Sequence, residues 1–360
     1  MTITAPKISV LMSVYNGSLY LRESIESVLN QTFTNFEFII IDDCSTDDSW
    51  EILKRFSTQD SRIVLLKNEE NIGLTKSLNK GLRIAKGEYV ARQDADDISL
   101  PTRFDQQVAY LEESKDVVLV SANYSYIDAE GSFINSLSLS DEADITGWYL
   151  LFYNRIGAHG LAMFRREEAI ALGGYLETFR YSQDYEFWHR LRKVGKLKIL
   201  PDILQLYRRS HSSSISVQAK PEQEALSVIA SQQAIEELTS KKLSTAEITD
   251  LKHFWLGRFA EIGSARSVGS NLSLIFSSFI KELGGKPAAA ALSIKIKNLI
   301  IAQFEAWIEN LGFRRGFVRR LNVTSMALFW APIRMIRLWQ KDIFNRTFEN
   351  YAIGHQLPKS

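Results

Sequence analysis

The segments FEFIIIDD (residues 36–43) and EYVARQDADD (residues 88–97) decide the fold, because each is a short apolar run that ends in aspartates. Short apolar runs rich in aromatic and β-branched residues predict buried β-strands. In an open α/β sheet, ligands bind at the carboxyl ends of the strands. We therefore expect these aspartates to gather at one edge of a sheet. They are Asp42, Asp43, Asp94, Asp96 and Asp97.

Strands and helices alternate on both sides of these segments, through about residue 130. Strands are predicted at 8–14, 36–43, 62–66, 88–93 and 117–120. Amphipathic segments between them predict helices, since apolar residues recur at helical spacing. This alternation implies parallel β-α-β units. The expected fold class is therefore α/β.

The pattern changes in the second half of the chain. Regularity weakens between about 130 and 215, where a helix at 184–194 and a strand near 197–207 are predicted. Beyond Pro221 helical periods dominate. We predict a catalytic domain at 1–218 and a helical C-terminal region at 219–360.

Composition indicates a globular protein with no nucleic-acid partner, because 43 Lys and Arg balance 42 Asp and Glu. The single cysteine, Cys44, can form no intrachain disulfide, which fits a reducing compartment. Residues 1–7 lack the apolar core of a signal peptide. No uncharged stretch reaches the roughly 18 residues that a spanning helix needs. We expect a cytoplasmic protein.

The acidic clusters predict a cation, because carboxylates at neighbouring strand ends repel one another unless positive charge lies between them. Hard oxygen ligands suit Mg²⁺ or Mn²⁺, and such an ion can carry a diphosphate. The alternative for any single aspartate is a helix N-cap, a position that Asp also favours.

The end of the first predicted strand is a candidate nucleoside-binding turn. Tyr15 can present a flat face to a base, and the polar turn that follows can hydrogen-bond the edge of the base. Tyrosines at strand ends are more often packing residues, so this turn alone is weak evidence. The candidate residues are Ser13, Val14, Tyr15 and Asn16.

Four motifs in order give a specific resemblance: SIESVLNQTF, FIIIDDCSTDDS, NIGLTKSLNKGLRIAKGEYVARQDADD and SQDYEFWHRL. Over about residues 6–215 the chain resembles the family 2 glycosyltransferases, inverting enzymes of the GT-A fold that use nucleotide sugars. The resemblance implies an α/β, Rossmann-like nucleotide-binding domain with a mixed, mostly parallel sheet. The resemblance implies that Ser13, Tyr15 and Asp43 line the nucleoside pocket, with Asp43 near the uracil.

The resemblance also implies roles for the remaining carboxylates. Asp96 and Asp97 match the motif that binds the metal and the diphosphate, and Asp94 stands near the sugar and ribose. Asp184 matches the catalytic base. Many relatives have Glu-Asp at this last motif, whereas this chain has Gln183 before Asp184, which can alter contacts with the acceptor.

Inversion independently calls for a lone carboxylate apart from the metal ligands. The acceptor hydroxyl must lose its proton to a general base as it attacks opposite the departing diphosphate. A divalent cation can absorb the charge on the leaving group. Asp184 begins an amphipathic helix, and we expect the helix N-terminus to favour its ionised form. The alternative is a simple N-cap.

Two histidines and two arginines are further candidates. His211 falls where several GT-A enzymes place a third metal ligand or a phosphate contact, and imidazole suits Mn²⁺. His159 matches a region that faces the acceptor in relatives. Arg208 and Arg209 could hold the diphosphate or lie on the surface. For both histidines, a structural role is the alternative.

Residues 312–340 contain six arginines, several aromatic residues and no acidic residue. Such a helical segment can lie in the interface of an anionic membrane. We expect peripheral attachment to the inner face of the cytoplasmic membrane, which would suit an acceptor on a polyprenyl diphosphate lipid. The alternative is a helix packed on the catalytic domain.

The sequence thus predicts a metal-dependent, inverting hexosyltransferase, using Mn²⁺ or Mg²⁺. It would move a hexose or N-acetylhexosamine from a UDP-sugar to a glycan hydroxyl in bacterial surface polysaccharide assembly.

Three alternative functions are less consistent with these residues. A polyprenyl-phosphate glycosyltransferase has less need of a catalytic base, because its acceptor is already anionic. A non-catalytic nucleotide-sugar-binding subunit would not need Asp96, Asp97 and Asp184 intact. A nucleotidyltransferase usually has a glycine-rich loop with Arg and Lys, unlike SVYNGS.

Overall fold

The computed structural model describes residues 5–139, 143–209, 219–284 and 287–310, together with six residues between 323 and 330. The chain divides into two compact units, Met1–Ala234 and Ile235–Ser360. The predicted domain boundary at 218/219 adjoins residues 210–218, which lie outside the described residues, so this boundary stays a prediction.

The first unit is built on one sheet of nine strands. The strands are β1 (Ile8–Val14), β2 (Phe36–Asp42), β3 (Ile63–Lys67), β4 (Tyr89–Arg92), β5 (Ile98–Ser99), β6 (Val117–Ile127), β7 (Phe133–Leu137), β8 (Met163–Arg165) and β9 (Lys196–Arg208). Their order is β3-β2-β1-β4-β8-β6-β9-β5, and β7 pairs with β6. Strands β1 to β4 are mutually parallel, whereas β8 inserts antiparallel between β4 and β6. The predicted mixed, mostly parallel α/β sheet is confirmed.

Helices cover both faces of this sheet. Those of the first unit are α1 (Ser18–Leu29), α2 (Ser49–Gln59), α3 (Leu74–Ile84), α4 (Arg103–Glu113), α5 (Ala143–Leu150), α6 (Arg166–Ala171) and α7 (Gln183–Val194). Helices α1, α2 and α4 share one apolar cluster with the sheet. Helices α3, α6 and α7 share the other. The sheet therefore lies between two helical layers.

The sequence of β1 and β2 explains why both faces are covered. Side chains alternate between faces along a strand. Val10 and Phe38 enter one cluster, whereas Leu11 and Ile39 enter the other. A strand buried on both faces reads as a continuous apolar run, as these two do.

Gly81 lets α3 approach the sheet closely. A Cβ atom at this position would lie 2.2 Å from Leu11 Cδ1 and 2.9 Å from Ile41 Cδ1. We expect Gly81→Ala to lower the free energy of unfolding by about 1–3 kcal/mol, because overpacking outweighs the gain of about 1 kcal/mol in helix propensity. Chemical denaturation would measure this. Lys76→Ala, on the exposed side of the same helix, should change stability by less than about 0.5 kcal/mol.

The helical pattern predicted beyond Pro221 is present in the described residues. The helices are α8 (Lys220–Thr239), α9 (Thr245–Trp255), α10 (Ala265–Glu282) and α11 (Pro287–Asn310). Most of the predicted membrane segment 312–340 lies outside the described residues. Within the described residues, no helix combines the length and apolar composition needed to cross a bilayer.

Candidate active site

The loops after β1 and β2 are tied together by hydrogen bonds at the carboxyl ends of the strands. Asn16 Oδ1 accepts from Thr46 N at 2.8 Å, and Asn16 N donates to Ser45 Oγ at 3.0 Å. Asn16 and Cys44 both have positive φ, at 53° and 61°. Such backbone strain clusters at functional sites. The Asn16 side chain thus holds the loop, and its predicted contact with a base stays a prediction.

The other predicted nucleoside-pocket residues differ in exposure. The Tyr15 side chain is 52% exposed, and Ser13 is partly buried. Val14 is fully buried in the core, and its carbonyl accepts from Asp43 N at 2.7 Å. Of this set, Tyr15 offers the largest surface to a ligand. None of these assignments is tested by the fold itself.

Asp43 organises the loop that precedes α3. Its Oδ1 accepts from Asn68 Nδ2 at 2.8 Å and from Ile72 N at 3.0 Å, and its Oδ2 accepts from Gly73 N at 2.8 Å. Gly73 has φ +88°, a conformation that glycine adopts without strain. Asp42 is also buried, and its Oδ2 accepts from Ser45 N at 3.3 Å.

Asp94 is held in one orientation at the end of β4. Its Oδ1 accepts from Arg92 Nη2 at 2.7 Å, and its side chain remains 29% exposed. A Cβ atom at Gly160 would lie 2.8 Å from Asp94 Oδ2. One side of the Asp94 carboxylate is therefore open to solvent, while the Arg92 guanidinium and Gly160 fix its other side.

Asp96 and Asp97 differ although they are neighbours. Asp97 is 1% exposed, and its oxygens accept from Gln205 Nε2 at 2.7 Å and Arg208 N at 2.9 Å. Burial, and then the charges of Asp96 and Asp94, raise the pKa of Asp97 well above its usual value. Asp96 is partly exposed. Of the two predicted metal ligands, Asp96 is the more accessible; the role of Asp97 stays a prediction.

Arg208 supports this loop from β9. Its Nε donates to Asp96 O at 3.1 Å, and its Nη2 pairs with Glu23 Oε2 at 2.6 Å. The guanidinium also lies over the Tyr20 ring, 4.4 Å from the centroid. Because Arg208 is buried and so engaged, its contacts belong to the framework. Arg209 is exposed, and its guanidinium lies over Tyr126.

A buried network behind the aspartates was not predicted from the sequence. Arg103 is fully buried, and its guanidinium donates to Gln93 Oε1, Ser99 Oγ and Arg92 O at 2.7–3.0 Å. Gln93 Nε2 in turn donates to Asp97 O at 2.9 Å. Buried charge must be paired and hydrogen-bonded to be tolerated. The only signal in the sequence was a pair of polar residues directly before the aspartates.

Asp184 lies in the first turn of α7. Its Oδ2 accepts from Asn154 Nδ2 at 2.8 Å. Ser182, at the helix N-cap, has positive φ (53°), which marks strain next to this carboxylate. Burial raises the pKa of Asp184 to about 6, although amide groups at the helix start and Asn154 act in the opposite direction.

The helix N-terminus favours the ionised form of Asp184, as expected, but it does not set the net direction of the pKa shift. The amides of Asp184 and Tyr185 do lower the pKa of Asp184, but desolvation outweighs them. A carboxylate with a pKa of about 6 is a stronger base than an ordinary aspartate and is still mostly ionised at neutral pH.

The raised pKa of Asp184 predicts an acid limb in the pH dependence of transfer. A general base works only when it is deprotonated, so kcat/KM should fall about tenfold per pH unit below a midpoint of about 6. Steady-state rates between pH 4.5 and 8 would measure this. A profile flat down to pH 4.5 would show that no group with this pKa is required.

The structure brings Asp94 and Asp184 close enough for their charges to interact, since Asp94 is among the groups that raise the pKa of Asp184. His159 contacts the support of Asp94: its Nε2 is 3.2 Å from Arg92 Nε, and it is also 2.9 Å from the Tyr175 hydroxyl. Burial and Arg92 lower the pKa of His159 well below its usual value. His211 lies outside the described residues.

The carboxylates fit a divalent cation that is bound partly by the protein and partly by the phosphates of a substrate. Among the described residues, no three Asp, Glu, His or Cys side chains are grouped as a complete metal site. Mg²⁺ is often held by one or two carboxylates together with substrate phosphates. Asp96, partly exposed beside Asp94, can contribute to that arrangement.

Comparison with known proteins agrees with this architecture. The model of Glycosyl transferase family 2 matches residues 9–172. Escherichia coli WfaP, named UDP-Glc:alpha-D-GlcNAc-diphosphoundecaprenol beta-1,3-glucosyltransferase, is 30% identical over 209 residues, which cover 58% of this chain and 79% of WfaP.

Two solved structures share the fold. S. aureus TarS in complex with UDP-GlcNAc has a TM-score of 0.56 at 16% identity, covering 90% of this chain and 91% of that one. The mannosyltransferase PcManGT from Pyrobaculum calidifontis, in complex with GDP-Man and Mn²⁺, has a TM-score of 0.51 at 17% identity, covering 94% and 88%. At these identities the likeness shows the fold alone.

Proposed function

This chain belongs to glycosyltransferase family 2, and we propose that it transfers a hexose or N-acetylhexosamine from a UDP-sugar to a glycan hydroxyl with inversion. The observation that carries this proposal is the pair of separate acidic groups. Asp94 and Asp96 follow β4, whereas Asp184 starts α7 with a pKa raised to about 6. Inversion in one displacement needs both groups.

In the proposed reaction, Asp184 takes the proton from the acceptor hydroxyl as that oxygen attacks the anomeric carbon. Asn154 keeps the carboxylate oriented through its 2.8 Å hydrogen bond. The bond between the anomeric carbon and the diphosphate oxygen breaks on the opposite side of the sugar. Partial burial of Asp184 keeps bulk water from competing for its lone pairs.

On the donor side, we propose that Asp96, with Asp94 nearby, holds Mn²⁺ or Mg²⁺ together with the donor diphosphate. When bound, that ion stabilises the charge on the leaving group as a Lewis acid. The Mn²⁺ in the PcManGT complex supports this choice of metal. The predicted ligands Asp97 and His211 remain part of the proposal.

For the nucleoside, we propose that Tyr15 contacts the uracil and that Ser13, Val14, Asn16 and Asp43 shape the pocket. The name of WfaP and the TarS complex both contain a UDP-sugar, whereas the PcManGT complex contains GDP-Man. UDP is therefore the better-supported nucleotide. The exposed Tyr15 ring can lie against a flat base, and the buried Asp43, held by Asn68 and Gly73, can fix the loop that borders the pocket.

For the acceptor, we propose a glycan on a polyprenyl diphosphate in bacterial surface polysaccharide assembly. The name of WfaP describes a diphosphoundecaprenol acceptor. The arginine-rich segment 312–340 would bring the protein to the inner face of the cytoplasmic membrane. That segment lies mostly outside the described residues, so this step rests on the sequence.

A panel of nucleotide sugars tests the proposed donor and metal together. Release of free nucleotide would be measured for UDP-, GDP-, ADP- and dTDP-sugars, in Mn²⁺ and in EDTA. We expect Mn²⁺-dependent release from one UDP-sugar, stimulated by acceptor. Release from GDP-mannose alone would contradict the donor assignment, and equal rates in EDTA would contradict the metal assignment.

A further inference from the structure

One short segment of the chain contacts Asp184 directly and reaches Asp94 through Arg92. Residues 154–160, Asn-Arg-Ile-Gly-Ala-His-Gly, lead into β8 and are here called the 154–160 segment. We propose that this segment positions both carboxylates: Asn154 holds Asp184, and His159 acts through Arg92 to hold Asp94. This inference rests on the proposed function, in which Asp184 serves the acceptor and Asp94 the donor.

At the first end of the segment, the Asn154 amide is fixed on both sides. Its Nδ2 donates to Asp184 Oδ2 at 2.8 Å, and its Oδ1 accepts from Ile156 N at 3.2 Å. The second bond settles which side of the amide faces the carboxylate, because a flipped amide would place a donor against the Ile156 N–H. Asn154 therefore donates to the ionised form of Asp184.

At the other end, His159 accepts a hydrogen bond from the buried Arg92 guanidinium. Arg92 Nε can only donate, so the 3.2 Å contact requires a lone pair on His159 Nε2, which the Tyr175 hydroxyl, 2.9 Å away, shares as a second donor. Burial beside Arg92 lowers the pKa of His159, which keeps that lone pair available. Arg92 also donates to Leu11 O, to Gln93 O and to Asp94 Oδ1 through its two Nη atoms, so the contact with His159 gives its Nε–H an acceptor.

The middle of the segment is clamped to β6. Ser121 Oγ donates to Ile156 O at 3.0 Å, and Ile156 is fully buried. Gly157 has φ +86°, and a Cβ atom there would lie 2.9 Å from the Tyr124 ring. These contacts fix the backbone path of the segment. They thereby fix the positions of Asn154 and His159, the residues near its two ends that hold the two carboxylates in the proposal.

Among the described residues, one carboxylate and two tyrosines also interact with the charge of Asp184. Asp94, after β4, raises its pKa by like charge. Tyr175 and Tyr185 also face it, and burial raises the pKa of each well above its usual value, so both stay neutral throughout the working range. A shift of the acid limb in an Asn154 variant would consequently report on the lost hydrogen bond.

Asn154→Ser tests the first end. A serine hydroxyl can still accept from Ile156 N, as in a turn, but is too short to reach Asp184. Loss of a hydrogen bond to the ionised form should move the acid limb of kcat/KM upward by about one pH unit. We expect kcat at neutral pH to fall and KM for the UDP-sugar to stay within about twofold. An unmoved acid limb would overturn this half of the inference.

His159→Leu tests the second end by removing the acceptor from Arg92. We expect a rise of about tenfold or more in the Kd of the UDP-sugar, the loss that follows when a buried donor is left unpaired. The acid limb should move less than in Asn154→Ser, because Asp94 affects the pKa of Asp184 less than the Asn154 hydrogen bond does. His159→Gln offers an amide oxygen to Arg92 and should recover much of the affinity. If His159→Leu binds donor normally, or Gln rescues nothing while folding normally, the assignment fails.

Ser121→Ala is the matched control, because it loosens the same segment without contacting either support. It should lower the melting temperature and leave both the acid limb and the donor Kd in place. Equal shifts in this variant would mean that the segment acts only through general stability. Failure of the proposed function would give a different result. Wild type would then lack the acid limb near pH 6, and Asp184→Asn would keep its transfer rate.

Discussion

Replacing Asp184 with asparagine is expected to lower the transfer rate by about 10²–10⁴-fold, the usual contribution of a positioned general base. Asparagine fills the same volume and can still hydrogen-bond Asn154, but it cannot take the proton from the acceptor hydroxyl. Affinity for the UDP-sugar should stay nearly unchanged. Single-turnover rates and donor titration by calorimetry would separate the two quantities.

The remaining activity of Asp184→Asn should also lose its acid limb, because the group that titrates near pH 6 is gone. Asp116→Asn is a suitable control, since Asp116 is an exposed carboxylate before the amino end of β6, paired with Lys196. It should behave as wild type. A variant at Asp184 that failed mainly in donor binding would remove this residue from the role of base.

Replacing Asp96 with asparagine is expected to abolish detectable turnover and to weaken UDP binding sharply in the presence of Mn²⁺. A neutral amide is a poor ligand for a hard divalent cation, and the diphosphate would lose the ion that neutralises it. Calorimetry with UDP, with and without Mn²⁺, would measure the loss. Wild type should bind UDP much more tightly with the metal than without it.

The Asp97 variant distinguishes the two neighbouring carboxylates. Asp97→Asn alters a side chain that holds Gln205 and the Arg208 backbone, so it should lower the melting temperature as well as activity. Asp96→Asn should leave the melting temperature nearly unchanged. If Asp96→Asn retained near-normal activity, or UDP bound wild type equally well without metal, the metal assignment would be wrong.

The central part of the fold was predictable because β1, β2 and β4 are buried on both faces. Runs such as Phe36–Asp42 are almost continuously apolar, a pattern that predicts a strand buried on both faces. The helices between these runs show clear apolar faces. The elements that were not assigned are short or exposed: β5 has two residues, and β7 has no buried side chain. The insertion of antiparallel β8 beside β4 depends on long-range pairing, which local patterns do not report.

The aspartates of the candidate site could be singled out from the sequence, but the environment of each one could not. Asp96 and Asp97 look equivalent in the sequence, yet one is partly exposed and the other is 1% exposed and fully hydrogen-bonded. That difference comes from Gln205 and Arg208, more than 100 residues away in the chain. Similarly, the sequence indicates that the start of α7 favours ionised Asp184, but it does not report the burial that raises the pKa of this carboxylate to about 6.

The stereochemistry of the product tests the central claim, single displacement assisted by Asp184, most directly. A UDP-sugar with an α-linked diphosphate would be incubated with Mn²⁺ and acceptor, and the anomeric coupling of the new linkage would be read by NMR. The account predicts a β-linked product from wild type, and the same product at a much lower rate from Asp184→Asn. An α-linked product would contradict inversion and, with it, the assignment of Asp184 as the base.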